Sequence, residues 1–253
     1  MCIFAALVQM HPEYPLFVLA NRDEARARPT ELPQVHTTSS GSDWLGGTDV
    51  RAGGTWLGVN ADGLLVAVTN RAKNDVAEKL QSRGILCRAL LEQPSLNAAR
   101  AEFERHWKEH EFAGFNLLLF SADEAVVIEA GDELKSTSLS RGIHVIANRG
   151  LNDPDDARVR RARKQVQAMP QESPSVTNWI RDSQRILAIH TDGEQPGLCL
   201  HRTVEWGTVS STIVALAAER GRSKYFYAPG PPCLTAFTDY SPSLRTLFES
   251  QKP

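Results

Sequence analysis

The sequence predicts an α+β fold in which antiparallel sheets are covered by helices. Strand-length apolar runs come mostly as adjacent pairs joined by short turns, which favours antiparallel pairing over parallel crossovers. Helical patterns occur in pairs between these blocks, as expected of helices that cover sheets. No Pro/Ser/Gly-rich linker divides the 253 residues, so we expect a single domain over residues 1–253.

The N-terminal part of the chain predicts two hairpins separated by a long polar segment. The first hairpin pairs Cys2–Gln9 with Leu16–Asn21 around a Pro-containing loop. The second pairs Thr55–Asn60 with Leu64–Asn70 through a tight turn that contains an Asp-Gly step. Residues 22–53 between them are polar and rich in Gly, Ser and Thr, so we expect little regular structure there. Loops of that length are often functional.

The rest of the chain predicts two pairs of helices and five further strands. The helices are expected over Arg83–Glu92, Asn97–His110, 155–168 and 174–189. The second helix follows a cap signal at Pro94-Ser95, and the fourth opens at Ser173-Pro174. The strands are expected over Phe115–Ser121, Ala125–Ala130, Ile143–Asn148, Val209–Ala217 and Lys224–Ala228, with a turn at 220–222 before the last.

Charge and composition argue against several classes of partner. The formal net charge of −2 gives no reason to expect nucleic acid or a membrane surface. The most basic stretch, Arg158–Lys164, has no interleaved aromatic residue and has acidic neighbours, so we interpret it as a solvated helix face. No basic leader precedes the first apolar run, and no run has the length of a membrane span. We therefore expect a cytoplasmic protein with no stable membrane insertion.

The four cysteines are widely separated and include no CxxC pair, which argues against a zinc ribbon or a redox pair. We expect reduced thiols, with Cys87, Cys199 and Cys233 serving as small buried apolar side chains. The histidines show no spacing typical of ligands, so no metal site is expected.

Cys2 is the residue with the clearest chemical potential. A cysteine at position 2 allows removal of Met1, which leaves a free α-amine beside the thiol. The thiol titrates near ~8.5 and the amine near ~8, so the amine can accept the thiol proton at neutral pH. The alternative is a cysteine that a strand merely buries.

The first hairpin predicts which residues lie beside Cys2. If residues 10–14 form its turn, paired positions sum to roughly 24, which places Cys2 opposite the neighbourhood of Asn21-Arg22-Asp23. A guanidinium there would lower the pKa of the thiol, and a carboxylate would hold or orient the amine. The alternative is a cluster of surface charges at a strand end.

Three strand-like runs end in an Asn-Arg step, at Asn21, Asn70 and Asn148. If these runs share a sheet, their ends could line one rim, and the asparagine amides could donate hydrogen bonds to an oxyanion. Asparagine at a strand end is also ordinary turn chemistry.

These residues resemble the NRDE family, to which the animal transport and Golgi organisation proteins belong. The resemblance runs in order along most of the chain. It rests on Met1-Cys2-Ile3, Asn21-Arg22-Asp23-Glu24, Arg28-Pro29, Gly53-Gly54-Thr55-Trp56-Leu57-Gly58, Val68-Thr69-Asn70, Arg83-Gly84, Gly114-Phe115-Asn116-Leu117, Ala147-Asn148 and Gly207-Thr208.

The family is similar in turn to the N-terminal nucleophile hydrolases, and among them to penicillin V acylases and bile salt hydrolases. This resemblance implies a four-layer αββα sandwich of antiparallel sheets. It also implies a nucleophile at Cys2, a supporting pair at Arg22 and Asp23, and oxyanion asparagines at Asn70 and Asn148.

One departure from the family pattern bears on catalysis. Gly207-Thr208 is followed by Val209, where the family commonly has arginine, so a cationic contact is missing or is replaced, for example by Arg202 or Arg71. Two classes of function stay open. The first is a cysteine-dependent hydrolase of a linear amide or thioester that requires no cofactor. The second is a non-enzymatic carrier of haem or of an acyl-CoA or lipid ligand in the same pocket. Both predict a small-molecule partner.

Overall fold

The computed structural model describes residues 2–39, 42–74, 80–169 and 175–250. In chain order the strands are β1 (Ile3–Val8), β2 (Leu16–Ala25), β3 (Thr30–His36), β4 (Trp44–Asp49), β5 (Leu57–Asn60), β6 (Leu65–Asn70), β7 (Phe115–Phe120), β8 (Ala125–Ala130), β9 (Leu134–Ser138), β10 (Gly142–Ala147), β11 (Gly150–Leu151), β12 (Trp206–Leu216), β13 (Lys224–Ala228) and β14 (Thr238–Asp239). The helices are α1 (Arg83–Leu91), α2 (Leu96–Glu109), α3 (Ala157–Gln167), α4 (Val176–Leu187) and α5 (Ser241–Glu249).

The strands form two antiparallel sheets, each within its own compact unit. The first unit combines residues 1–27 with 140–241, and its sheet has the order β11-β10-β1-β2-β12-β13-β14. The second combines residues 28–139 with 242–253, and its sheet has the order β3-β4-β5-β6-β7-β8-β9. The predicted α+β class with antiparallel sheets is confirmed. The two units interleave in sequence, and the expectation of one domain stays a prediction.

Each sheet buries one face under a pair of helices. In the first unit α3 packs on β10 and β1, and α4 packs on β12 and β2. The core there includes the fully buried Trp179 of α4 and Phe17 of β2, whose rings meet edge to face. In the second unit α1 and α2 pack together, and their core includes Leu90 and Phe103. None of the helices in the described residues is long and apolar enough to cross a membrane.

The first hairpin has the predicted register. Ile3 pairs with Asn21 and Val8 with Leu16, so paired positions sum to 24. The turn begins directly after β1, at Gln9, which adopts a positive φ of 54°. Because one face of β1 is packed against α3, a slip of one residue would move every side chain of β1 to the opposite face, and the register is therefore strongly specified.

The prediction of little regular structure over 22–53 is wrong. β2 continues to Ala25, and β3 and β4 both lie within this segment. β3 is an edge strand with mostly exposed side chains, so it lacks the apolar alternation by which strands are found. β4 contains Gly46 and Gly47, which pack closely on neighbouring backbone and side chains. Glycines in a sequence favour the prediction of a loop, so this strand was missed.

The four predicted helices agree with α1 to α4 to within two residues at each end. The Ser95 hydroxyl accepts a hydrogen bond from the Ala98 amide, as the cap signal indicated. Ser173-Pro174 lie outside the described residues. The exposed strand β9, the two-residue strands β11 and β14, and the helix α5 were not predicted.

Candidate functional site

A row of side chains crosses four strands of the first sheet at the start of β1. One step beyond the Ile3–Asn21 pair, the register places Cys2 opposite Arg22, and Arg22 is itself paired with Ser210 of β12. On the other side of β1, continuing the Phe4–Ile146 register by two steps reaches Asn148, just past the end of β10. Directly paired residues of antiparallel strands point to the same face. The register of the first sheet therefore places Cys2, Arg22 and Ser210 in one row, and Asn148 where that row continues beyond β1.

The Cys2 thiol lies against the second strand. The sulphur accepts a hydrogen bond from the backbone N–H of Asp23. Burial raises the pKa of the thiol above its ordinary value and the Asp23 carboxylate raises it further, while Arg22 acts in the opposite direction. As the sequence predicted, Arg22 lowers the pKa of the thiol, but burial and the Asp23 carboxylate raise it by more, so the net shift is upward.

The Asp23 carboxylate is buried and engaged through both oxygens. Arg158 donates from Nη2 to Oδ2 at 3.0 Å, and the Thr208 hydroxyl donates to Oδ1 at 2.6 Å. Burial raises the pKa of Asp23, and the ion pair and the hydroxyl oppose that shift. The carboxylate is thus held in one orientation beside the start of the chain, which suits a positioning role.

The interpretation of Arg158–Lys164 as a solvated face is wrong at Arg158. This side chain is 8% exposed and also donates to the carbonyls of Gly197 (3.1 Å) and Leu198 (2.8 Å). Arg160 and Lys164 on the same helix are exposed, as expected. A signal was present: Arg158 lies four residues before Ala162 and eight before Val166, which places it on the apolar stripe of α3.

Asn21 has a structural role on the opposite face of the sheet from this row. Its Nδ2 donates to the carbonyls of Leu187 and Leu198, each at 2.9 Å, and the Ser211 hydroxyl donates to its Oδ1. All three contacts lie on the face covered by α3 and α4. Asn21 therefore links the end of α4 and the backbone at Leu198 to β2.

The predicted residue Asn70 ends β6 in the second unit and is partly buried. Next to it, Arg71 pairs with Glu129 at 3.0 Å and donates to the Asn116 side chain at 3.3 Å. The role of Asn70 as an oxyanion donor stays a prediction.

Ser210 is the member of the row on β12. It comes directly after Val209, the residue that stands where the family commonly has arginine. A register shift between Thr208 and Ser210 brings Ser210 opposite Arg22. Arg202, one candidate to replace the family's arginine, lies over the Trp206 ring at 5.5 Å. Sequence reasoning missed Ser210 because a β-bulge changes which residues of a strand share a face.

A cavity of about 320 Å³ opens within the second unit beside His36, Trp44 and Arg88. None of the predicted site residues lines it.

Cys199 and Cys233 are not merely apolar side chains. Cys199 is buried as expected, but its sulphur meets Cys233 and two histidines, His190 and His201, in one group of ligand-type atoms. The fold assembles this group from separate segments, which the spacing of the residues in the sequence does not reveal, and the expectation that the chain has no metal site stays a prediction. Cys87 alone of the three is fully buried in a core.

Comparisons with known proteins agree with this architecture. A family model described as Transport and Golgi organisation 2 matches residues 1–227. Over 151 residues the chain is 30% identical to the Transport and Golgi organization protein 2 homolog of Homo sapiens, covering 56% of this chain and 53% of that protein. The chain thus spans about half the length of the animal relatives it matches.

Solved structures with a similar fold include two enzymes. Penicillin V acylase from Agrobacterium tumefaciens matches with a TM-score of 0.62 at 11% identity, over 95% of this chain and 86% of that one. A mutant conjugated bile acid hydrolase from Clostridium perfringens matches with a TM-score of 0.57 at 13% identity, over 97% of this chain and 94% of that one. At such identities the likeness establishes the fold, which is that of the N-terminal nucleophile hydrolases.

Proposed function

Because this chain belongs to the Transport and Golgi organisation 2 family and has the fold of the N-terminal nucleophile hydrolases, we propose that it is a hydrolase in which Cys2 attacks a linear amide or thioester. The observation that carries the proposal is the row across the first sheet. The register aligns a thiol at the start of the chain with a buried guanidinium on β2 and, one strand further, a buried hydroxyl on β12, and on the other side it extends to a strand-end amide. These are the groups that an acyl transfer needs at a nucleophile.

In the proposed reaction, removal of Met1 frees the α-amine of Cys2. The amine takes the thiol proton while the sulphur bonds to the substrate carbonyl carbon. Asn148 donates a hydrogen bond from its side-chain amide to the oxyanion. The ammonium then passes its proton to the departing amine or thiolate, and water hydrolyses the thioester left on Cys2.

In the chain that carries Met1 the pKa of the Cys2 thiol is raised, so the proposed mechanism requires the amine that removal of Met1 frees. A thiol with a raised pKa carries little negative charge at neutral pH, so it attacks a carbonyl efficiently only when a neighbouring base removes its proton. Asp23 is held by Arg158 and Thr208, and its fixed carboxylate orients the amine.

A carrier of haem or of an acyl ligand is the second candidate. The same raised pKa favours it in a chain that retains Met1, because such a thiol has no adjacent base and is a poor nucleophile. In that case the row around Cys2 would bind a ligand without turnover.

The first measurement is the intact mass of the protein purified from its native host. Loss of Met1 is the expected result for the hydrolase. Retention of Met1 in all molecules would contradict the mechanism, since the α-amine would then be an amide.

The second measurement separates the two candidates. Wild type, Cys2→Ala and the core control Cys87→Ala are screened against acyl amides and acyl thioesters, and are titrated with haem while the Soret band is followed. Turnover that Cys2→Ala abolishes and Cys87→Ala retains is expected. Saturable haem binding that survives Cys2→Ala, without turnover of any acyl compound, would favour the carrier.

A further inference from the structure

A second cluster of reactive side chains lies in the first unit and takes no part in the proposed reaction. Its members come from three separate segments: the chain after α4, the segment before β12, and the loop after β13. We call it the thiol–imidazole cluster, and it consists of His190, Cys199, His201 and Cys233. Each residue offers one ligand atom, and all four of these atoms lie within 4.8 Å of one another.

The three distances among Cys199, His201 and Cys233 are close to those of tetrahedral coordination, and His190 lies within 4.8 Å of all three. The two sulphurs are 3.5 Å apart, and His201 Nε2 lies 3.6 Å from the Cys199 sulphur and 3.2 Å from the Cys233 sulphur. Zinc bonds of about 2.3 Å to sulphur and about 2.0–2.1 Å to nitrogen place tetrahedral ligands roughly 3.3–3.8 Å apart. A disulfide needs the sulphurs at about 2.05 Å, and it would leave both histidine rings unused.

The backbone holds the ligands in place without help from an ion. The Cys199 amide donates to the Ile189 carbonyl at 2.9 Å, which joins the segment before β12 to the chain just ahead of His190. His201 bridges to Gly207 in an antiparallel pair. The amide of Leu234, next to Cys233, donates to the Pro231 carbonyl at 2.9 Å. A site so preorganised loses little conformational freedom when an ion binds.

The two histidines complete a set of sulphur and imidazole donors that zinc prefers. His190 and His201 have ring centroids 5.1 Å apart and planes 6° apart, although both side chains are largely exposed. Two thiolates and two neutral imidazoles offset the charge of a divalent ion, and this set of soft sulphur and borderline nitrogen donors selects zinc over magnesium or calcium.

We propose that the thiol–imidazole cluster binds one zinc ion in a closed structural site. All four positions are filled by protein, which leaves no open position for a substrate. The ion joins the end of α4, the segment before β12 and the loop after β13.

The site also supports the row around Cys2. The segment between Gly197 and His201 contains the carbonyls that Arg158 and Asn21 bind. In the same segment, the Leu200 amide donates a hydrogen bond to the Thr208 hydroxyl, which in turn donates to the Asp23 carboxylate. An ion bound at Cys199 and His201 therefore fixes the segment that positions Asp23. This consequence holds whether the row catalyses hydrolysis or only binds a ligand.

The test is metal analysis of the full-length chain, purified in reducing buffer without chelator. About one zinc per chain is expected. After removal of the metal by a chelator, titration with Co²⁺ should produce the intense visible bands of a tetrahedral site and a thiolate-to-cobalt charge-transfer band in the near ultraviolet. Octahedral, water-like cobalt spectra throughout the titration would overturn the proposal.

Variants assign the ligands. Cys233→Ser and His201→Ala should each weaken zinc binding by more than about 100-fold, because even second-shell partners account for about 10–100-fold. The matched controls Cys87→Ala and His110→Ala, which lie outside the cluster, should retain one ion per chain. If Cys233→Ser does not fold, as judged by circular dichroism, the exposed His190→Ala gives the same readout.

Three results would overturn the proposal. The first is a wild-type chain that binds neither zinc nor cobalt. The second is binding that persists unchanged in both cluster variants. The third is a peptide map of protein kept in glutathione buffer that shows Cys199 joined to Cys233, since the cluster would then be a disulfide site.

Discussion

The chemistry of Cys2 depends on which of two opposing effects dominates at the sulphur. Arg22 favours the thiolate, whereas burial and the Asp23 carboxylate favour the thiol, and the latter prevail. A nucleophile so placed depends on its own α-amine for deprotonation. Removal of Met1 is therefore expected for the hydrolase, and retention of Met1 for the carrier.

The raised pKa of the Cys2 thiol predicts slow alkylation at neutral pH. In a chain that retains Met1, the rate of iodoacetamide modification at Cys2 should reach half its maximum above pH 9.0, the ordinary thiol value. Arg22→Gln should move that midpoint higher, because it removes a group that lowers the pKa. The rates are measured by peptide mass spectrometry across pH 6–11. A midpoint at or below 9.0 in the wild type would contradict the dominance of burial.

Arg158 predicts the largest single-residue effect on stability. Arg158→Met leaves the Asp23 carboxylate buried without its counter-charge, and breaking such a pair typically costs about 3–5 kcal/mol. Arg160→Met, on the exposed side of the same helix, should change the free energy of unfolding by less than about 0.5 kcal/mol. Urea denaturation at pH 7 measures both.

The pH dependence of Arg158→Met provides an internal check. Without Arg158 the pKa of Asp23 rises further above its unfolded value, because the ion pair is one of the groups that lower it. A carboxyl with a raised folded-state pKa contributes stability below its unfolded pKa and loses it as pH rises through the folded value. The variant should therefore lose more stability at pH 7.5 than at pH 5. Equal losses at the two pH values would mean that Asp23 is not the partner that matters.

At the scale of elements, two adjacent glycines show why the segment before β5 tolerates little change. Gly53 has a φ of 69° and open space around it. Gly54 packs on the first turn of α1, where an added Cβ would overlap the backbone of Gly84, and Thr55 donates a hydrogen bond to the Gly84 carbonyl at 3.0 Å. The second glycine thus sets how closely α1 approaches the chain before β5.

This contrast predicts different costs for the same substitution. Gly53→Ala should cost about 1–2 kcal/mol, because only the left-handed backbone is strained. Gly54→Ala should cost more than about 3 kcal/mol, because α1 must move. Thermal and urea unfolding of the two variants give the comparison. A smaller loss for Gly54→Ala than for Gly53→Ala would mean that the helix does not approach so closely.

For the molecule as a whole, buried acidic groups predict a loss of stability at alkaline pH. Burial raises the pKa of the Cys87 thiol in the second unit and of the Tyr225 hydroxyl in the first. Both groups stay protonated in the folded chain while the unfolded chain ionises. Their contribution is therefore complete below the unfolded pKa and declines above about pH 9 for the thiol and about pH 10 for the tyrosine.

The expected slope is about 1.4 kcal/mol per pH unit for each group that has begun to ionise in the unfolded chain only. Cys87→Ala should reduce the slope of stability against pH between 9 and 10, and Tyr225→Phe should reduce it above 10. Urea midpoints measured from pH 7 to 11 test both, with Tyr240→Phe as the control for a tyrosine that is only partly buried. A slope unchanged in both variants would exclude these groups as the cause.

Local pattern was enough to predict much of the fold and the centre of the candidate site. Apolar periodicity located the first hairpin and helices α1 to α4, and the length of the first turn determined that Cys2 lies opposite Arg22. It failed for β3 and β9, whose side chains are mostly exposed, because a strand held by backbone hydrogen bonds at a sheet edge has no apolar period to detect.

The sequence by itself thus determined the order of α1 to α4 and of the apolar strands, and the neighbours of Cys2 along one hairpin, since those depend on interactions between residues close in the chain. Only the tertiary structure decided that Arg158 binds Asp23, 135 residues away, and that His190, Cys199, His201 and Cys233 meet. Such contacts arise because the packing of helices and loops on a sheet brings together segments that are distant in sequence. The spacing of residues along the chain does not predict which of these segments will meet.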